Sequence, residues 1–167
     1  NKMNYLKGII FITLILVLSR IIPHPPNFTP ILAGIIFLPF IKKDLTFSVI
    51  VPLAAMLISD LIIGMHSLMF WTYGPIMFLS CLTYYFNQDS ILRIGSLAVI
   101  SPMIFFLVSN FGVWITGSYY AKDISGLMEC YFNAIPFYVS SAISCILFTA
   151  LFYFIRSAIL KRNFLLS

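Results

Sequence analysis

Charge is what this chain is short of. Only 9% of its 167 residues are Asp, Glu, Lys or Arg, where a soluble domain carries roughly 25%. Apolar residues reach 61% and the mean hydropathy is +1.03. That balance excludes a soluble globular fold. The five acidic residues form no carboxylate pair at membrane depth, and the ten basic ones stand singly or in pairs, so there is no basic face for nucleic acid. Cys81, Cys130 and Cys145 have no CxxC or Cys/His ligand spacing, which excludes a disulfide framework and a zinc site. P-loop, GxSxG and HExxH motifs are also missing. With only two histidines, neither well inside a helix, haem ligation finds no matched pair, and no matching broken helices in the two halves suggest an inverted-repeat transporter.

What the chain does have is apolar runs. They cover about Leu6 to Ile22, Thr29 to Ile41, Leu45 to Ile63, Leu68 to Phe86, Ile91 to Thr116 and Tyr131 to Ile155. Since a membrane-crossing helix needs roughly 20 apolar residues, six of them use the whole length. The expectation is an all-α, polytopic membrane protein: one six-helix transmembrane domain over residues 1–167. Lys2 and Lys7 before the first run resemble the start of a signal peptide, but no small-x-small cleavage site follows, so the run reads as a retained helix. The second run opens on Thr29-Pro30, an N-cap followed by proline at the first helical position. At about 1.5 Å per residue it reaches only about 20 Å, which demands that it tilt, extend locally or be shielded by protein.

The distribution of basic residues tests the count independently. Lys2, Lys7, Lys42, Lys43, Arg93, Arg156, Lys161 and Arg162 fall on the side of the termini, and only Arg20 and Lys122 on the other. Eight against two predicts both termini in the cytoplasm.

Polar groups at membrane depth cost free energy and are the place to look for function. Counting from the helix starts puts Asp60 in the outer third of the third helix, with Asn110 and Trp114 on one face of the fifth through their i, i+4 spacing. His66, Trp71 and Tyr73 enter from the outer end of the fourth, and His24, Asn27 and Thr29 from the outer end of the second. Hydrogen-bonding groups thus converge on the outer end, as a pocket opening outward requires. Each also has a structural reading. Asp60 can cap a loop or pair with Arg20, Asn110 can bond between helices, and the tryptophans can belong to an interfacial aromatic belt. Cys81, about 14 residues into the fourth helix, reads by depth as a packing residue.

Four stretches carry a resemblance: Arg20-Ile21-Ile22-Pro23-His24-Pro25-Pro26-Asn27-Phe28-Thr29-Pro30, Ile58-Ser59-Asp60-Leu61-Ile62-Ile63-Gly64-Met65-His66, Ser109-Asn110-Phe111-Gly112-Val113-Trp114 and Ala134-Ile135-Pro136-Phe137. They resemble a family of small six-helix bacterial membrane proteins similar to the substrate-binding S-components of energy-coupling factor vitamin transporters, including the cobalamin-specific ones. The resemblance implies a vitamin-binding subunit of the bacterial inner membrane. Its pocket would lie at the outer face, closed by the loops after the first, third and fifth helices. It also implies cobalamin as the leading substrate, no intrinsic cofactor, and a coupling subunit with ATPases as partners alongside membrane lipid. In cobalamin-specific relatives a cysteine ligates cobalt, and Cys81 is the candidate here.

The function expected is therefore a binding subunit for vitamin uptake, without ATPase activity. Trp71, Tyr73 and Trp114 would pack on the ligand, while His24, Asn27, Asp60, His66 and Asn110 would orient it. The rival is a membrane-embedded enzyme using Asp60 and His66 as acid and base on a lipid or quinone.

Overall fold

A computed structural model of the protein describes residues 2–166, and its side chains over residues 4–162. It contains six helices and no strand among the described residues: α1 (Lys2–Ile21), α2 (Ile31–Ile41), α3 (Leu45–Ile63), α4 (Met69–Phe86), α5 (Ile91–Thr116) and α6 (Ile124–Leu166). Four of them, α1, α3, α5 and α6, are long and apolar enough to cross a membrane. The 18 residues of α4 include three tyrosines, two threonines and a serine, and the 11 residues of α2 reach only about 16 Å.

Local chemistry sets the boundaries. Asp44 caps α3 by accepting a hydrogen bond from the Phe47 amide at 2.9 Å, and Gly64 ends that helix at φ 132°, a conformation L side chains rarely adopt. Asp123 accepts from the Gly126 amide at the start of α6. The bounds of α3 and α5 coincide with the apolar runs, α4 begins one residue later than its run, and α1 begins at Lys2 rather than Leu6 and ends at Ile21. The other two differ in ways that matter. Thr29 is not the cap of α2, which begins at Ile31 with Pro30 in the cap position and no side-chain cap bond. The last helix extends well beyond Tyr131–Ile155 at both ends, because its polar flanks continue the helical hydrogen bonding that an apolar count leaves out. Its 43 residues span about 64 Å. Arg156, in its last third, holds Asp89 in the turn before α5 with two hydrogen bonds of 2.9 and 3.0 Å.

Pro39, Pro52, Pro75, Pro102 and Pro136 all lie inside helices. None divides its helix, so Gly74-Pro75 leaves α4 continuous.

The interior holds an apolar core around Ile35, Leu38, Val51 and Leu79, but the surface is unlike that of a soluble protein. Large apolar side chains such as Phe11, Leu18, Leu61, Phe78, Leu107 and Phe154 are exposed, while Thr13, Ser48, Ser59, Ser80, Thr83, Ser101 and Ser144 are buried. Small hydroxyl residues among the buried ones and large hydrocarbon left outside are what helices packing in lipid favour, since lipid gives Leu no reason to hide and small residues let backbones approach. Around the bundle α1 packs on α3, α3 on α4, α4 on α5, and α5 on α6. The short α2 stands inside this arc against α3, α4, α5 and α6. Apolar on every side, it is buried from Ile31 to Pro39 except at Gly34, as a helix surrounded by protein should be. Shielding by neighbours is thus how so short a helix is accommodated.

The loop over residues 22–30 leads into α2, exposed from Ile22 to Asn27 and half-buried from Phe28 to Pro30. Pro25-Pro26-Asn27-Phe28 forms a tight turn, closed by the Phe28 amide on the Pro25 carbonyl at 3.0 Å, with Asn27 at φ 59°. Proline at the second position and asparagine at the third suit that turn: one presets φ, the other tolerates the left-handed region. The turn reaches far along α6, where Ser144 donates to the Asn27 carbonyl at 3.4 Å and Phe28 packs on Phe148.

Candidate functional site

Two polar constellations form at the end where α1, α3 and α5 finish. The first is an ion-pair cluster. Arg20, in the last turn of α1, places Nη1 2.8 Å from Asp60 Oδ1 on α3. The same nitrogen donates to the Ser59 hydroxyl and to the Met56 carbonyl. The Tyr73 hydroxyl on α4 donates to Asp60 Oδ2 at 2.6 Å, and His66 Nε2, in the loop between α3 and α4, stands 3.5 Å from that oxygen. Asp60 is only 2% exposed. A carboxylate so far out of water is tolerable because both its oxygens are engaged, one by a guanidinium. The cluster ties α1, α3 and α4 together.

The second constellation is a cavity of about 140 Å³, next to that cluster and above the start of α2. Its polar lining is Arg20, His24, Asn27, Thr29, Thr72, Ser141 and Ser144. The apolar lining is Ile31, Leu32, Met56, Ile76 and Phe105. Arg20 belongs to both constellations, its side chain 19% exposed. His24 Nδ1 lies 2.6 Å from the Ile22 carbonyl, so that nitrogen carries the hydrogen and Nε2 is the acceptor of the neutral ring.

The eight candidate binding residues therefore divide three ways. His24 and Asn27 line the cavity. Asp60, His66 and Tyr73 form the cluster behind Arg20, and none of the three lines it. Trp71, Asn110 and Trp114 form the third group: Trp71 packs edge-on to Phe70 and Phe111, Phe111 packs on Trp114, and the Asn110 carbonyl faces Cys130 of α6. A Cβ at Gly112 would overlap the Trp71 ring, so that glycine lets the indole lie against the α5 backbone. Trp114 Nε1 donates to the Ala121 carbonyl, and Lys122 donates to the carbonyls of Trp114 and Gly117, closing the loop after α5. Asn110 turns back on its own helix, donating to the Phe106 carbonyl. Cys81 sits about 18 Å along α4 from Met69, half-buried and outside the cavity lining. Among the described residues no three His, Cys, Asp or Glu side chains group to hold a metal ion.

Ser141, Ser144, Thr72 and Phe105 escape a search for ionisable residues. One trace of them was present, the i, i+3 pair Ser141 and Ser144 on one face of an otherwise apolar helix.

Fold and site together define a six-helix bundle with an apolar exterior and a small polar cavity near one end, floored by the N-terminus of a buried half-length helix. The chain belongs to the family of unknown function DUF6580, whose family model matches residues 2–165. Comparison with curated proteins and with solved structures gave no match.

Proposed function

We propose that the protein is a membrane-embedded binding subunit for uptake of a compact polar micronutrient, with the cavity above α2 as its outward-opening site. The observation that carries this reading is a cavity with seven polar side chains, beside which runs the irregular backbone of residues 22–30, exposed from Ile22 to Asn27 and docked on α6 through Asn27 and Phe28. In lipid such backbone is tolerated only where protein buries it or water reaches it. The exposed apolar exterior supports residence in a membrane, and the eight-to-two split of basic residues supports cytoplasmic termini and a cavity facing out.

Size narrows the ligand. A cavity of about 150 Å³ holds one benzene, so about 140 Å³ takes a molecule on the order of benzene in bulk. A corrin is many times larger, so the volume favours a compact vitamin or precursor over cobalamin. The enzyme reading has less support. Both oxygens of Asp60 already accept hydrogen bonds, which leaves it a poor base. Delivery across the membrane would fall to a separate energising complex.

The test is thermal unfolding of the purified protein in nanodiscs against a set of water-soluble vitamins and precursors. A ligand present at about 100 times its Kd should add about 2.7 kcal/mol of stability. Ser141→Trp, which fills the cavity, should abolish that gain. Absence of any stabilising ligand, or a gain that survives Ser141→Trp, would sink the proposal.

A further inference from the structure

Resting on that reading of the cavity, we infer the charge of its ligand: a compact organic monocarboxylate, gripped by the unused edge of Arg20 and the first turn of α2. Every polar side chain lining the cavity is a cation, an amide, a hydroxyl or an imidazole, with no Asp or Glu among them. Asp60 is the nearest carboxylate in the cluster, and it lies behind Arg20, off the lining.

Arg20 is engaged on one side only. All three of its hydrogen bonds leave from Nη1, to Met56, Ser59 and Asp60, so Nη2 and Nε make none among the described residues. A guanidinium presents its donors as a planar fork that matches a carboxylate. The buried pair therefore keeps a donor edge for something else, and Arg20 lines the cavity.

The second source of positive potential is α2. Ile31 and Leu32, its first two residues, line the cavity, and Pro30 gives the helix no side-chain cap. First-turn amides have no partner within a helix, and its N-terminus carries about half a positive charge.

Ser141 points to a ligand independently. It is 6% exposed and lines the cavity, yet its hydroxyl makes no hydrogen bond among the described residues. Thr72, Ser80, Ser96 and Ser109 each turn back to the carbonyl four residues earlier, the usual recourse of a helical hydroxyl. Ser141 does not. Its oxygen is not enclosed like the unpartnered hydroxyls of Thr13, Ser48 and Ser101, so it faces the cavity as a donor that water or a guest can engage.

Charge and shape together select the class. Arg20 and Asp60 nearly cancel, leaving the partial charge of α2, which suits one negative charge better than the two of a phosphate. Met56, Ile76 and Phe105 on the cavity wall call for a hydrocarbon body beyond the carboxylate.

The experiment measures binding to the full chain in nanodiscs by calorimetry. The probes are propionate, benzoate and phenylacetate, each against its primary amide, with benzylamine and inorganic phosphate as charge controls. At least one acid should bind tenfold or more tighter than its amide, and Ser141→Trp should remove that binding. Arg20→Lys keeps the charge but not the fork and should weaken the acid at least tenfold. Since Arg20 variants risk unfolding, the acid-to-amide ratio in the unaltered protein and the effect of Ser141→Trp are the deciding measurements. Amides equal to acids, preference for phosphate or benzylamine, or acid binding that persists in Ser141→Trp would overturn the inference. If an amide or the amine binds and Ser141→Trp abolishes it, the cavity reading stands while the carboxylate assignment falls. Should no probe bind, the carboxylate assignment falls, and the vitamin screen alone decides the cavity.

Discussion

Arg20 Nη1 lies 2.8 Å from Asp60 Oδ1, joining the last turn of α1 to the last turn of α3, with the Tyr73 hydroxyl on the other carboxylate oxygen at 2.6 Å. The carboxylate is thereby fully occupied as a structural tie, and the cavity beyond is left to the arginine. Removing one partner of a buried pair leaves the other uncompensated. Asp60→Ala should therefore lower the stability of the ligand-free protein by about 3–5 kcal/mol, and Tyr73→Phe by about 1–3 kcal/mol through the lost hydrogen bond to a charged group. Denaturant unfolding in mild detergent measures both. Losses below about 0.5 kcal/mol would mean that the pair is solvated like a surface one.

Asn27 combines a backbone role with a side-chain one. At φ 59° it holds the turn that brings residues 22–30 against Ser144, and it also lines the cavity. Asn27→Ala should cost about 1–2 kcal/mol of stability, because alanine is strained in the left-handed region, whereas Asn27→Gly relieves the strain. Ligand binding should weaken in both, since both lack the amide. Equal stability of the two variants would show that the turn does not depend on this conformation.

Cys81 offers a contrast. Half-buried on α4 and away from the cavity, it has the surroundings of a packing thiol. Cys81→Ser should change stability by less than about 1.5 kcal/mol, as a near-isosteric replacement does, and leave ligand affinity unchanged. Cobalamin offered to the protein should show no thiolate-type shift in its absorption spectrum. A shift that vanishes in Cys81→Ser would put the thiol on cobalt and show that α4 unwinds when it binds.

Orientation is tested by an impermeant thiol reagent applied to intact cells. Single cysteines introduced beside Lys42 and Arg93 should be protected, and one beside Lys122 should be labelled. Labelling at all three positions from outside would contradict six crossings.

Composition and pattern determined a good deal on their own. Scarce charge and long apolar runs dictated an all-helical chain, and the bounds of α3 and α5 follow from the sequence because each is a predominantly apolar run between an Asp or Ser and a Gly. Convergence of His24, Asn27, Asp60, His66 and Tyr73 on one end was also legible, since depth along a helix is simple counting. What counting cannot supply is azimuth and partnership. Only the packed bundle decided that Asp60 faces Arg20 and Tyr73, that Asn110 bends back to Phe106, and that Trp71 lies against Gly112. The same holds for the cavity. Its serines come from α6 and its cation from α1, residues far apart in the chain, and they meet because α2 is too short to fill the bundle and the turn before it docks on α6 at Asn27 and Phe28.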